Sequence, residues 1–181
     1  TPKPSSAASD VYKRQVWDGN ETWLVLGGAG LLAAFPLAYS VILSALHLPL
    51  VFMLLGLIFR GVAFEFRFKA DPHHRPLWDR AFVLGSLCAT FFQGVTLGAY
   101  IEGIPVVDRA YQGGAWDWIS PFSLFTGVGL VVGYALLGCT WLIMKTEGRL
   151  HRHMCTLARP LTLALLAVIA ALSLWTVSYT H

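Results

Sequence analysis

Long, unbroken apolar runs dominate this chain, and strict apolar–polar alternation is missing from them. Five runs predict membrane-crossing helices, at about 21–46, 48–66, 77–101, 121–144 and 160–175. Each is near the ~20 apolar residues that carry a helix through a hydrocarbon core about 30 Å thick. Inside that core the backbone must satisfy its own polar groups, which leaves helices or closed barrels. Barrel strands alternate over about ten residues, and these runs do not. The expected fold is therefore an all-α, polytopic transmembrane helix bundle, with about five membrane helices. Pro36 should bend the first helix, because it removes a donor and crowds the preceding turn. The joint Leu46-His47-Leu48-Pro49 is so short that the first two helices are expected to form a tight antiparallel hairpin. Gly94 and Gly98, and then Gly129 and Gly133, offer small-residue faces where helices can approach closely.

Composition supports the same picture. Of 181 residues, 56% are hydrophobic and 13% charged, whereas a soluble domain carries about 25% charged residues to keep its surface wet. The net charge of +3 comes without a basic stripe interleaved with aromatics, so nucleic acid is not an expected partner. Cys88, Cys139 and Cys155 are odd in number and lack CxxC spacing. They read as free thiols, with no metal site and no disulfide framework.

The two ends differ in texture from the rest. Residues 1–15, TPKPSSAASDVYKRQ, are polar and rich in Pro, Ser and Ala, without the order of a signal peptide. They are expected to be a non-native, adapter-like tail, with a genuine disordered tail as the alternative. Residues 177–181 are expected to be a second such tail, which leaves 16–176 as the transmembrane domain.

Loop charge predicts orientation. The stretch 67–80 holds Arg67, Lys69, His73, His74, Arg75 and Arg80, and 145–159 holds Lys145, Arg149, His151, Arg152, His153 and Arg159. The stretch 102–120 is nearly neutral and aromatic, with Tyr111, Trp116 and Trp118. The positive-inside rule puts the two basic loops in the cytoplasm and the aromatic one outside. Trp17 to Glu21 then falls at the cytoplasmic side.

Ionisable groups at membrane depth need partners, water or a task. Arg60 lies well inside an apolar run, and Arg67, seven residues on, shares its helix face. Asp18 and Glu21 share a face at the mouth of the first helix. There they read equally as a capping arrangement or as the entry of a proton path, with Arg60 as partner. Arg60 reads equally as a snorkelling or bracing arginine. Glu65, Arg67 and Lys69 read as an interfacial charge cluster, and Glu102 as a rim residue. A haem in a membrane bundle needs inward His or Met ligands. Here His47 sits at a turn, and the other internal histidines lie in the basic loops. Met53 and Met144 are helical, where Met serves more often as packing than as ligand. No haem site is expected in this chain.

The run Val16-Trp17-Asp18-Gly19-Asn20-Glu21-Thr22-Trp23, followed by Gly27-Gly28 and Phe35-Pro36, resembles a signature of the cytochrome bd oxidase subunit II family. So do Phe59-Arg60-Gly61-Val62-Ala63-Phe64-Glu65-Phe66-Arg67, Trp78-Asp79, Gln93-Gly94, Pro121-Phe122 and Met144-Lys145-Thr146-Glu147-Gly148. Details of Glu147-Gly148 and of the stretch 71–80 lean towards the cyanide-insensitive branch. The resemblance implies a haem-free subunit beside a subunit I that carries haems b and d and oxidises quinol. The assembly would reduce oxygen to water in a bacterial inner membrane. It implies scaffolding and part of the cytoplasmic proton route for this subunit, with Trp17 and Asp18 matching the implicated pair. A structural quinone or lipid is a further implied guest. The family's first helix and last helices are expected beyond the two ends of this sequence. Two other classes remain open on the residues alone. One is a secondary transporter or channel with a charged path at Asp18, Glu21 and Arg60. The other is a haem-binding membrane cytochrome in its own right.

Overall fold

A computed structural model describes residues 22–180, with side chains through Ser178. Five helices follow one another: α1 (Thr22–Ala34), α2 (Pro36–Lys69), α3 (Arg75–Glu102), α4 (Pro121–Lys145) and α5 (Arg149–Thr180). Between α3 and α4 lies a small antiparallel hairpin of β1 (Val106–Val107) and β2 (Ala110–Tyr111). Helices α2 to α5 are long and apolar enough to cross a membrane, and α1 is a shorter apolar helix. The fold is the all-α transmembrane bundle that the apolar runs predict.

The two expected irregularities in the first third of the chain are both narrower than a loop. At Phe35 (φ −136°, ψ 65°) the helix stops for one residue, and Pro36 starts the next helix. The proline's fixed φ suits a first helical position, and its missing N–H is one of the donors left unpaired there anyway. Hydrogen bonds from Phe35 N–H to Leu31 and from Tyr39 N–H to Phe35 continue the ladder on either side. At Leu46 (φ −112°, ψ 18°) helical geometry fails again, so α2 is two helical stretches joined at a kink. The segments expected at 21–46 and 48–66 thus meet with no intervening coil. Pro49 falls in the first turn after the break, where no N–H is required. The imidazole of His47 bonds the Ser44 carbonyl at 3.0 Å, before the kink.

Packing is sequential. α2 lies on α3, α3 on α4 and α4 on α5, so the helices form a row. Small residues set each crossing. A Cβ added to Gly56 would lie 2.7 Å from the Ala89 nitrogen and 2.9 Å from the Gly85 oxygen. Gly94 and Gly98 meet α4 at Gly127 and Ser123, while Gly129 and Gly133 meet α5 at Val168 and Leu165. The two glycine pairs read from the sequence therefore serve two different interfaces. Apolar helices gain nothing from leaving lipid for one another, so close backbone approach and van der Waals contact must hold them.

The buried core lies at one end of the row. Ala45 and Leu46 at the kink pack with Val95 and Ala99 of α3 and with Trp118 from the loop before α4. Ser120 caps α4 by accepting from the Ser123 N–H, and the Ser123 hydroxyl accepts in return from the Ser120 N–H. Glu102, the last residue of α3, hydrogen-bonds the Ser120 hydroxyl and so ties the end of one helix to the start of the next.

Replacing Gly56 with leucine should force α2 from α3 and cost about 1–3 kcal/mol, the usual penalty for overpacking. Thermal unfolding of the purified full-length protein checks this. An unchanged midpoint would mean that the Gly56 crossing does not hold the pair.

Candidate functional site

Of the residues proposed for a proton path, Trp17, Asp18 and Glu21 lie outside the described residues. Arg60 is described, and its surroundings are specific. The backbone of Arg60 rests on Gly85, where an added Cβ would stand 2.9 Å from the Arg60 nitrogen. This contact turns the arginine side chain along α3, and its guanidinium lies over the Phe82 ring at 5.5 Å from the centroid. An aromatic face offsets part of the cost of a cation in an apolar setting. The Arg60 Nε is buried and has no hydrogen-bond partner among the described residues. A buried donor of this kind is uncommon in native folds and leaves room for an acceptor.

Two turns on, Arg67 also reaches α3, where its Nε donates to the Asp79 carboxylate. Phe66 stacks on Trp78 beside this pair, with centroids 5.3 Å apart. Glu65 points elsewhere and pairs with Lys69 at 3.2 Å, one turn along its own helix. The charges read as one cluster are thus resolved into two pairs of different kinds, one between helices and one within a helix. Asp79 and Phe82 were not singled out for these roles by sequence reasoning. The available signal was their place in the first turns of the helix that follows a short basic loop.

At the opposite end of the α2–α3 pair the loop is built, not loose. Asp108 and Arg109 have φ of 50° and 65°, the left-handed pair that a two-residue hairpin turn demands. The Tyr111 hydroxyl donates to the Gly114 carbonyl at 2.8 Å, and the Gly114 N–H donates to Asp117 Oδ2 at 2.7 Å. The Trp118 indole N–H donates to the Ala115 carbonyl at 3.0 Å, which lets the ring bury itself over Leu46. A further groove of about 310 Å³ opens on the side of the row. Apolar Ile42, Leu46 and Leu130 line it together with Gln93, Thr96 and Tyr134, and the Tyr134 hydroxyl donates to Gln93 at 3.3 Å. Among the described residues no group of three or more His, Cys, Asp and Glu comes together in a metal-holding arrangement.

The family model for cytochrome bd terminal oxidase subunit II matches residues 12–180. The chain belongs to the cytochrome bd oxidase subunit II family. It is 33% identical over 165 residues to the cytochrome bd-I ubiquinol oxidase subunit 2 of Escherichia coli K12, covering 88% of this chain and 44% of that protein. With the cytochrome bd ubiquinol oxidase subunit 2 of Bacillus subtilis it shares 36% identity over 140 residues, or 76% of this chain and 41% of the relative. The probable cytochrome oxidase subunit 2 of Haemophilus influenzae is 30% identical over 165 residues, 88% of this chain and 44% of that protein. This subunit II chain thus spans less than half the length of the curated relatives it matches. The matched region contains the Trp17–Glu21 string, Arg60 and the Arg67–Asp79 pair.

Two outcomes follow from the geometry. The Arg67–Asp79 pair is about half exposed on both sides, so a double-mutant cycle with Arg67→Gln and Asp79→Asn should give a coupling of only about 0–1 kcal/mol. A coupling of several kcal/mol would show instead that the pair is buried in the working protein. At the other end, burial first, and then the charge and hydrogen bond of Asp117, raise the Tyr111 phenol above its ordinary value of 10.0. A raised phenol pKa means that the folded loop holds its proton longer than the unfolded chain. Its stabilising effect is therefore complete below the unfolded pKa and falls as pH rises beyond it. Difference absorbance titration against Tyr111→Phe should show late phenolate formation, and Asp117→Asn should bring it earlier.

Proposed function

We propose that this chain is part of a haem-free subunit II in a respiratory quinol:oxygen oxidoreductase of the bacterial plasma membrane. In this reading it scaffolds a haem-bearing subunit I and carries part of the cytoplasmic route by which protons reach oxygen. The observation that carries the reading is the family match over nearly the whole sequence, at residues 12–180. The E. coli and B. subtilis relatives are named as subunit 2 of ubiquinol oxidases, which implies a second subunit and quinol as the substrate of the complex. When bound in subunit I, haems b and d would supply the electron transfer and oxygen chemistry.

The scaffold role accords with a row of helices that leaves large apolar faces uncovered, including Leu137, Leu163 and Leu174, each more than 60% exposed. In a membrane such faces meet lipid or the helices of a neighbouring subunit. The groove beside Gln93 and Tyr134 suits the apolar chain of a lipid or a structural quinone, with the tyrosine and amide as polar contacts for a headgroup. The loops 67–80 and 145–159 face the cytoplasm in this reading, and 102–120 faces outward, as their charges imply.

For the proton route, Asp18 is the entry carboxylate, and Trp17 and Glu21 are further candidates. Arg60 is a positioning residue whose free Nε can hold a carboxylate or an ordered water. Carboxylates exchange protons with water readily, and a fixed cation nearby keeps an entry carboxylate ionised between transfers. Placed in the full-length oxidase complex, Asp18→Asn should lower quinol-driven oxygen consumption at least about tenfold, or ~1.4 kcal/mol in barrier. The haem absorption spectrum should stay as in the unmodified enzyme. Normal turnover with Asn at this position would remove the proton role and leave Asp18 as a helix cap.

A further inference from the structure

Three residues separate the end of α4 from the start of α5, and Gly148 (φ +76°) takes the left-handed conformation that the reversal needs. The first turn of α5 is thereby set against the last turns of α4. There His151 Nδ1 lies 3.0 Å from the Ile143 carbonyl oxygen. This carbonyl is among the last four of α4, which have no partner inside their own helix. A carbonyl can only accept, so Nδ1 carries the proton, and the neutral ring presents Nε2 as an acceptor. That nitrogen faces Cys155, one turn further along, with Sγ at 3.6 Å. Both side chains are partly buried and neither is sealed off.

We propose that His151 and Cys155 form a thiol–imidazole pair, a site of covalent modification whose substrates are small hydroperoxides. The arrangement has the parts a nucleophilic thiol needs: a base within reach, and a third group that fixes the base. The thiol proton passes to His151 Nε2. Sulfur attacks the distal peroxide oxygen, an S–O bond forms, and the O–O bond breaks. The departing oxygen takes the proton from Nε2. The thiol is oxidised to sulfenic acid by two electrons, and the hydroperoxide is reduced to water or an alcohol. Arg152 and Arg159, three residues before and four after Cys155, share its side of the helix, so the anionic sulfur would form between cations.

The other two cysteines lack this arrangement. The Cys88 thiol donates to the Phe52 carbonyl at 3.6 Å, and Cys139 is buried in α4. The sequence alone concealed the difference, because all three read as isolated free thiols.

The test is site-resolved trapping. The full-length protein in its native membrane is treated with hydrogen peroxide, sulfenic acid is captured with dimedone, and each cysteine is quantified by mass spectrometry. Cys155 should carry most of the label. His151→Gln, whose amide can still donate to the Ile143 carbonyl, should reduce Cys155 labelling about tenfold or more, the scale of losing a positioned base. Labelling at Cys88 should stay the same. Equal labelling of the three cysteines, or a Cys155 signal indifferent to His151→Gln, overturns the proposal. If the variant fails to assemble, the unmodified protein decides the matter after denaturation in detergent. The preference for Cys155 must then vanish, and a preference that survives unfolding cannot come from this geometry.

Discussion

The backbones of α2 and α3 touch at Gly56, Gly85 and Ala89, with no space left for another carbon. In lipid this kind of contact has to replace the hydrophobic drive that packs helices in water. Once it is made, the other contacts of the pair fall into an antiparallel register. Phe52 stacks on Phe92 towards one end, while Phe66 meets Trp78 and Arg67 meets Asp79 towards the other. Arg60 takes its place from the same contact, because Gly85 seats its backbone and leaves its guanidinium to run over Phe82. Further small-residue crossings carry the row onward to α4 and α5.

The ends of this row have different chemistry. One is closed by Trp118, Leu46 and a hydrogen-bonded loop in which Tyr111, Gly114 and Asp117 hold one another. The other holds most of the charge, arranged as pairs along or between helices, with the cationic start of α5 beside it. The row itself supplies broad apolar flanks, which a subunit needs if it is to lie against a neighbour within the membrane.

Much of the fold was legible because membrane helices announce themselves by length and apolar continuity. The runs around 77–101, 121–144 and 160–175 fall within α3, α4 and α5. The short joint at Leu46 was legible as a break, and its form was not. A single residue, Leu46, leaves helical geometry there, three positions before Pro49. The hairpin at Asp108 and Arg109 escaped notice because neither residue is a glycine, and its turn is enforced by the packing of Tyr111 and Trp118. The candidate site was legible in part: Arg60 stood out as a cation in an apolar run, yet nothing local names Phe82 as its neighbour.

What the sequence determined by itself is the solvent, the helical class, the family and the identity of the ionisable groups out of place in lipid. Each of these rests on local composition or on a contiguous string, such as Trp17 to Glu21, that survives without knowledge of its surroundings. Only the tertiary structure decided that Arg67 belongs to Asp79 and Glu65 to Lys69. It alone joined Glu102 to Ser120, and His151 to both Ile143 and Cys155. Such pairings follow from which faces the glycine contacts turn towards one another. That rotation is set by backbone approach in three dimensions, which no stretch of sequence encodes by itself.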